Sequence, residues 1–203
     1  QVQQPGDLCC PGGAVHPFLD RLLHRLLFFK RGAAYRWAKE REQPLFHRIT
    51  FFLATALREA WEEIRLNPFR VEFLGALPCY QLASFQRVIF PLVGLVAPGI
   101  RFRPNWEVER IIYVPLEAFF EEGNYGLYTL AIPESYQERI GDGGAEAEFP
   151  CFVHTEEGQE EVLWGATYEI VMSFLEVVFD FQPPELGCRR VQGEFYPESP
   201  DFP

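Results

Sequence analysis

The sequence predicts an α/β protein in which a mixed β-sheet is covered by helices on both faces. Three observations carry this prediction: amphipathic helical spacing up to about residue 66, short β-rich runs between about 71 and 154, and a last amphipathic helix that ends near residue 179. The order helix, strands, helix is typical of a layered α/β domain. With 203 residues, the chain can bury the core of one domain and is short for two.

Composition excludes several classes of protein. Hydrophobic residues at 48% and charged residues at 23% are ordinary for a folded chain. No apolar run reaches the ~18–20 residues that span a membrane, so no membrane partner is expected. The net charge of −11 opposes non-specific nucleic-acid binding, which depends on cations that contact phosphate. Five cysteines without a CxxC pair favour reduced thiols and a cytoplasmic location.

The first helical region is basic. Between residues 18 and 57 the chain carries eight Lys or Arg against three acidic residues, while Phe18, Leu22 and Leu26 recur at four-residue steps. We expect one or two amphipathic helices here, joined around Gly32. The basic residues form either a solvated face over an apolar seam or a lid or docking surface for an anionic ligand or partner.

The remaining elements are predicted from the positions of proline and glycine and from hydrophobic periodicity. A second helix is expected over about 49–66, ending before Asn67-Pro68. Strands are expected where apolar runs lie between proline and glycine turns: 71–77, 87–96 and 107–116, with weaker candidates at 125–132 and 149–154. The last amphipathic helix spans about 162–179, and repeated prolines after residue 182 predict an extended tail.

The densest chemistry lies on the second helix. Glu59, Glu62 and Glu63 are three and four residues apart, so their carboxylates share one region of the helix surface. Like charges this close repel each other unless a cation lies between them, and Mg²⁺ or Mn²⁺ with oxygen ligands supplies that charge. Arg58 can pair with Glu62 one turn on and orient it. An exposed acidic helix face is the alternative interpretation.

A second local signal is the glycine turn that ends the segment GDLCCPGG at residues 6–13. A Pro-Gly-Gly turn lets the backbone pass close to a ligand and expose its N–H groups, which suits phosphate binding. Such turns are also common in ordinary loops, so this signal gains weight only beside the acidic helix.

Together the two segments resemble the Nudix hydrolase family, whose box is written Gx5Ex7REUxEExGU, where U is a bulky aliphatic residue. The REUxEE part matches residues 58–63, with Ala60 at the U position, and Gly12 and Gly13 resemble the opening glycine. Residues 6–13 further resemble the GxxxFPGG signature of the coenzyme A-directed branch, with Cys10 in place of Phe. Further matches to that branch lie downstream, at 107–116, 152–154 and 163–167.

The chain departs from the box in spacing. If Gly13 is the box glycine, Arg58 lies 58 − 13 = 45 residues on instead of 14, so about 31 extra residues lie inside the box. Counting from Gly13 puts Leu19 where the first box glutamate is expected, with His16 and Asp20 nearby. One carboxylate of the family pattern is therefore absent or displaced. In addition, an arginine at position 65 replaces the closing glycine.

The resemblance implies an enzyme, a diphosphatase (pyrophosphohydrolase) that cleaves a nucleoside diphosphate linked to a group X into a nucleoside monophosphate and phospho-X. Mg²⁺ or Mn²⁺ would clamp the diphosphate and acidify the bound water. Glu62 and Glu63 are implied as direct metal ligands, and Glu59 as a further ligand or a proton acceptor. Arg58 would orient these carboxylates.

Three further assignments follow from the resemblance. The backbone at Gly12 and Gly13 would contact the metal or phosphate. A general base outside the helix would be Glu107 or Glu109, although strand carboxylates are usually just solvated. Basic residues of the insertion could meet the 3′-phosphate of coenzyme A, namely Arg21, Arg25 or Lys39.

The substrate remains open at this point. The coenzyme A signature favours coenzyme A, cleaved to 3′,5′-ADP and phosphopantetheine; another nucleotide such as ADP-ribose is the second option. A catalytically weak module that binds a nucleotide or a protein is the third, and a homodimer is compatible with each. We expect a Nudix-like domain over 1–182 with a helical insertion at 18–50, and a Pro-rich tail over 183–203. The first strands of such a sheet are expected to be missing before Gln1.

Overall fold

The computed structural model describes residues 7–27, 39–40, 43–82, 87–131, 146–156, 158–184 and 189–193. Within these ranges the α-helices are α1 (Pro17–Leu27), α2 (Gln43–Ile64) and α3 (Gly165–Phe179). The strands are β1 (Val71–Ala76), β2 (Tyr80–Gln81), β3 (Val88–Ile89), β4 (Leu92–Val96), β5 (Tyr125–Ala131), β6 (Glu146–Glu156), β7 (Gln159–Trp164) and β8 (Arg190–Gly193). The predicted α/β class is confirmed.

The chain divides into two compact units, which we name by their main elements. The helical unit comprises Cys10–Tyr80 and Val88–Ile111, and the sheet unit comprises Gln1–Cys9, Gln81–Arg87 and Ile112–Pro203. No helix in the described ranges is long and apolar enough to cross a membrane.

The sheet unit contains a four-stranded mixed sheet in the order β7-β6-β5-β8. β6 pairs antiparallel with β5 and with β7, whereas β5 pairs parallel with β8. Its core combines Tyr125 and Phe152 from the sheet with Tyr168, Met172 and Leu175 from α3. These three α3 residues recur at three- and four-residue steps, so one face of the helix is buried.

The helical unit contains the antiparallel pair β1–β4 and the two helices that carry the predicted site. Leu23 of α1 packs against Ala54 and Leu57 of α2. The seam predicted from the spacing of Phe18, Leu22 and Leu26 is not the buried face, because all three side chains are exposed. Further along α2, Ala60 and Ile64 join a second apolar cluster with residues of β1 and β4. The C-terminal half of α2 is thereby held from two sides.

Two predictions about helix limits need correction. The second helix was expected at 49–66, but α2 begins at Gln43 and ends at Ile64. It ends there because Arg65 has φ 57°, the left-handed conformation that a helix cannot continue. The last helix was expected to start at residue 162, yet residues 162–164 belong to β7, where they pair with β6. Tertiary pairing overrides the local helical pattern at this point.

The strand predictions are confirmed at 71–77 and 125–132, within a residue or so, and β6 extends beyond the predicted 149–154. Residues 87–96 form two strands instead of one, since Pro91 lies between β3 and β4 and lacks a backbone N–H for pairing. The strand expected at 107–116 is wrong: residues 108–115 have no regular structure, and a 3₁₀-helix spans Leu116–Phe120. Gly32, the expected helix junction, lies outside the described residues.

Candidate active site

The local sequence fixes how α1 begins. Pro17 occupies the first helical position, where its fixed φ suits the helix and its missing N–H is no loss. His16 Nδ1 accepts a hydrogen bond from the Leu19 N–H at 3.3 Å, and Asp20 Oδ2 accepts one from the His16 N–H at 2.7 Å. This exchange resembles a capping box, in which two backbone donors at the helix start are satisfied reciprocally. It holds the Asp20 carboxylate in place.

Asp20 is completely buried and is fully paired. Besides the His16 N–H, it accepts hydrogen bonds from the Thr55 hydroxyl at 2.8 Å and from Arg58 Nε at 2.6 Å. Burial alone would raise the pKa of Asp20, but the hydrogen bonds from Arg58, His16 and Thr55 outweigh it and hold this pKa below its ordinary value. The carboxylate therefore stays ionised and anchors Arg58.

Arg58 in turn orients carboxylates of the acidic cluster, which consists of Glu59, Glu62, Glu63 and Glu107. Its Nη1 donates to Glu62 Oε2 at 3.0 Å, which is the pairing expected from the sequence. Its Nη2 donates to Glu59 Oε1 at 2.9 Å and to the Ala14 carbonyl at 3.0 Å. With its side chain only 11% exposed, Arg58 connects the glycine turn, α1 and two carboxylates of α2. It is a positioning residue for them.

The glycine turn lies against the same carboxylates. A Cβ atom added at Gly13 would overlap the carboxylate of Glu59, so any side chain here would displace Glu59 from its present position. The backbone N–H of Gly12 donates a hydrogen bond to the carboxylate of Glu63. The two sequence segments that predicted a site, separated by 45 residues, are therefore in contact within the helical unit.

Negative charge accumulates at Glu63. Burial raises the pKa of this carboxyl, and the charges of Glu59, Glu107 and Glu62 raise it further, to about 7, while the Gly12 N–H partly offsets them. A pKa this far above the ordinary value of a glutamate is a mark of functional sites, because folding alone does not require such repulsion.

Asn105 was missed by the sequence analysis and joins Glu107 to the end of α2. Its N–H donates to the Glu63 carbonyl at 2.7 Å, and its Nδ2 donates to the Glu62 carbonyl at 3.2 Å and to Glu107 Oε2 at 3.3 Å. The Glu107 N–H in turn donates to Asn105 Oδ1 at 2.8 Å. An Asn that follows Pro104 is a recognisable turn residue, but its partners on α2 lie more than 40 positions away in sequence. Glu109 is exposed, and its charge is not among those that raise the pKa of Glu63.

The carboxylates around Glu63 are ligands of the type that hard divalent cations prefer. Glu63 and the three carboxylates around it offer oxygen ligands, and a cation would relieve the repulsion that helps to raise the pKa of Glu63. Across the part of the chain that the structure describes, however, no three His, Cys, Asp or Glu side chains already stand in an arrangement that could hold an ion. The predicted ligands Glu59, Glu62 and Glu63 would thus need side-chain rotation to meet at one ion.

The other predicted positions are also located. Arg21 and Arg25 are exposed on α1, and Lys39 is exposed. The arginine that replaces the closing box glycine adopts the left-handed backbone that glycine favours, and its guanidinium lies 5.7 Å from the centre of the Trp61 ring. The turn after α2 is thus kept at a cost in backbone strain, which is about 1 kcal/mol for such a residue.

Comparisons with known proteins agree with these features. The chain is 29% identical over 184 residues to the peroxisomal coenzyme A diphosphatase NUDT7 of Mus musculus, covering 89% of this chain and 61% of that protein. It is 35% identical over 121 residues to the uncharacterized Nudix hydrolase NudL of Pectobacterium atrosepticum, covering 59% and 55%. The chain thus spans about three fifths or less of the length of these curated relatives. No protein-family model matches it.

Proposed function

We propose that the chain, which is similar to proteins named Nudix hydrolases and a coenzyme A diphosphatase, hydrolyses a diphosphate that joins a nucleoside to a second group X. The products are a nucleoside monophosphate and phospho-X. In this proposal Glu59, Glu62 and Glu63 bind Mg²⁺ or Mn²⁺, which neutralises the diphosphate and acidifies the attacking water.

One observation carries the proposal. The glycine turn packs on the acidic helix, with Gly13 against Glu59 and the Gly12 N–H on Glu63, although about 31 additional residues lie between them in the box. A second observation opposes a catalytically weak module: Asp20 supplies a buried carboxylate beside Arg58, seven residues after Gly13 instead of the six that the box has. In this proposal Asp20 takes the place of the first box glutamate, displaced by one residue.

In this proposal the residues of the helical unit have separate roles. Asp20 and Arg58 hold the carboxylates of Glu59 and Glu62 in position for the metal. The turn at Gly12–Gly13 offers backbone N–H groups to a phosphate or to the carboxylates that hold the metal. Of the two candidate bases, we favour Glu107, because Asn105 fixes it beside the end of α2.

Coenzyme A is the substrate we propose, from the GxxxFPGG-like turn and from the similarity to a protein named a coenzyme A diphosphatase. The test is to incubate the protein with Mg²⁺ or Mn²⁺ and coenzyme A, ADP-ribose, NADH or diadenosine polyphosphates and to identify the products. Release of 3′,5′-ADP and phosphopantetheine supports the proposal. Cleavage of ADP-ribose alone would move the substrate to another nucleotide, and no cleavage of any compound would overturn the function.

We further propose that the insertion at 18–50 recognises the 3′-phosphate of coenzyme A through Arg21, Arg25 or Lys39. Reversing Arg21 and Arg25 to Glu should raise KM for coenzyme A and leave dephospho-coenzyme A unaffected. Arg101→Glu is the matched control, since Arg101 is also exposed in the helical unit but lies outside the insertion. Equal effects on both substrates would contradict the assignment. The domain limits, the homodimer and the cytoplasmic location stay predictions.

A further inference from the structure

An apolar groove of about 460 Å³ lies beside the acidic cluster in the helical unit. α1 contributes Leu19, Leu22 and Leu26 to it, and Trp61 and Phe69 also line it. Each of these five side chains is between 40% and 52% exposed. A row of large apolar side chains open to solvent and gathered around one groove is typical of a ligand site, unlike singly scattered surface leucines.

The groove is continuous with the proposed catalytic site, because Arg58 and Glu62 line it as well. Its direction follows from the packing of the helices: Asp20 contacts Arg58, and His24, one turn later on α1, contacts Thr50, two turns earlier on α2. The helices therefore run antiparallel, and Leu19 lies nearest to Arg58. Leu26 lies seven residues further along α1, about 10 Å away.

We propose that this groove binds an alkyl segment attached directly to the diphosphate, so that α1, a helix of the insertion, lets the site accept substrates in which X is lipophilic in addition to coenzyme A. This inference rests on the proposed function. The charged end of the ligand lies at Arg58 and Glu62, and the alkyl chain follows Leu22 and Leu26. Water oxygen bonds to one phosphorus, the bridging P–O bond breaks, and the products are a nucleoside monophosphate and an alkyl phosphate with release of a proton.

The dimensions of the groove set a limit on the chain. A length of about 10 Å accommodates roughly seven or eight carbon atoms at C–C bonds of about 1.5 Å. A fully buried CH₂ group favours binding about fourfold, and an open groove that buries part of each group gives about twofold. The value of kcat/KM should therefore rise about twofold per carbon and level off near eight carbons.

The test uses the full chain with Mg²⁺ or Mn²⁺ and a series of alkyl esters of ADP, from methyl to decyl, with AMP release as the readout. The double variant Leu22→Ala/Leu26→Ala should flatten the dependence of kcat/KM on chain length. Phe18→Ala is the matched control: Phe18 is an apolar residue of the same helix, 74% exposed, that does not line the groove. It should leave the dependence as in the wild type.

Three outcomes separate the two proposals. A rise with chain length that the double variant loses and Phe18→Ala keeps supports the groove. Hydrolysis of the methyl ester without any dependence on chain length, or a dependence that the double variant retains, overturns the groove and leaves the diphosphatase function standing. If no ester, coenzyme A or ADP-ribose is hydrolysed, the proposed function and the inference that rests on it both fail.

Discussion

Asp20 and Glu63 are two acidic residues of the same unit whose surroundings are opposite. Asp20 is fully buried, yet each of its oxygens accepts a hydrogen bond and Arg58 neutralises its charge, so its pKa is lowered. Burial and the charges of Glu59, Glu107 and Glu62 raise the pKa of Glu63 to about 7, and the single backbone N–H that it receives from Gly12 offsets only part of this. Burial raises the pKa of both carboxyls. The neighbours of Asp20 reverse this shift, whereas the neighbouring charges at Glu63 add to it.

The difference separates a structural carboxylate from a functional one. A buried charge that is paired and hydrogen-bonded becomes costly only when its partner is removed. A carboxylate held among like charges is destabilising for the metal-free fold and is useful only if a cation arrives. We therefore propose that Asp20 positions Arg58 and that Glu63 binds the metal.

The largest expected effect is the loss of turnover in Glu63→Gln. Mutating the outer partners of a metal typically costs 10- to 100-fold in activity, so replacing a direct ligand should cost more than about 100-fold in kcat. Steady-state kinetics with Mg²⁺ measures this, and Glu72→Gln, an exposed glutamate of β1, is the control that should keep full activity. A near-normal kcat in Glu63→Gln would mean that the site assignment is wrong.

Asp20→Asn should lower the free energy of unfolding at pH 7 by about 3 kcal/mol, because it removes the one fully buried carboxylate among the three that pair with Arg58. The pKa of Asp20 is lowered, so its contribution is complete above the ordinary aspartate value of about 3.9 and is lost as the pH falls through the folded pKa. Urea unfolding should therefore show the two proteins converging in strong acid. Asp180→Asn, at an exposed position after α3, should change stability by less than about 0.5 kcal/mol at either pH.

Sequence reasoning reached the α/β class and the acidic helix because their signals are local. The spacing of Glu59, Glu62 and Glu63 predicts one helix surface, and the pairing of Glu62 with Arg58 follows from the helical period. The match to the Nudix box added the glycine turn, whose contact with Glu59 no local pattern shows.

What sequence reasoning could not reach depends on partners far apart in the chain. Asp20 was noted only as lying near an expected glutamate, since its role requires Thr55 and Arg58, 35 and 38 residues later. Asn105 bonds to carbonyls of α2 that are more than 40 residues earlier. The strand expected at 107–116 failed for a related reason, because an alternating pattern does not tell whether a neighbouring strand is available to pair.

Without metal, Glu63→Gln should be more stable than the wild type at high pH. Because the folded pKa of Glu63 is raised to about 7, ionisation in the folded state becomes unfavourable as the pH rises from about 4.5 through 7, and glutamine removes that cost. After allowance for solvent screening of this half-buried group, we expect a gain of about 1 kcal/mol at pH 8 and none at pH 4.5. Urea unfolding with a chelator measures both. A variant that is less stable than the wild type at pH 8 would show that Glu63 is compensated as Asp20 is.

The smallest expected effect concerns Glu62. It pairs with Arg58, as Asp20 does, and it is also a predicted metal ligand, as Glu63 is. It accepts a hydrogen bond from Arg58 at 3.0 Å, but its side chain is 46% exposed, and ion pairs at such positions contribute only about 0.3–0.5 kcal/mol. Glu62→Gln should therefore lower the free energy of unfolding by less than about 0.5 kcal/mol while lowering kcat at least about tenfold. If stability falls by 2 kcal/mol or more and kcat is unchanged, Glu62 belongs with Asp20 as a structural partner of Arg58, and the metal site loses one of its three ligands.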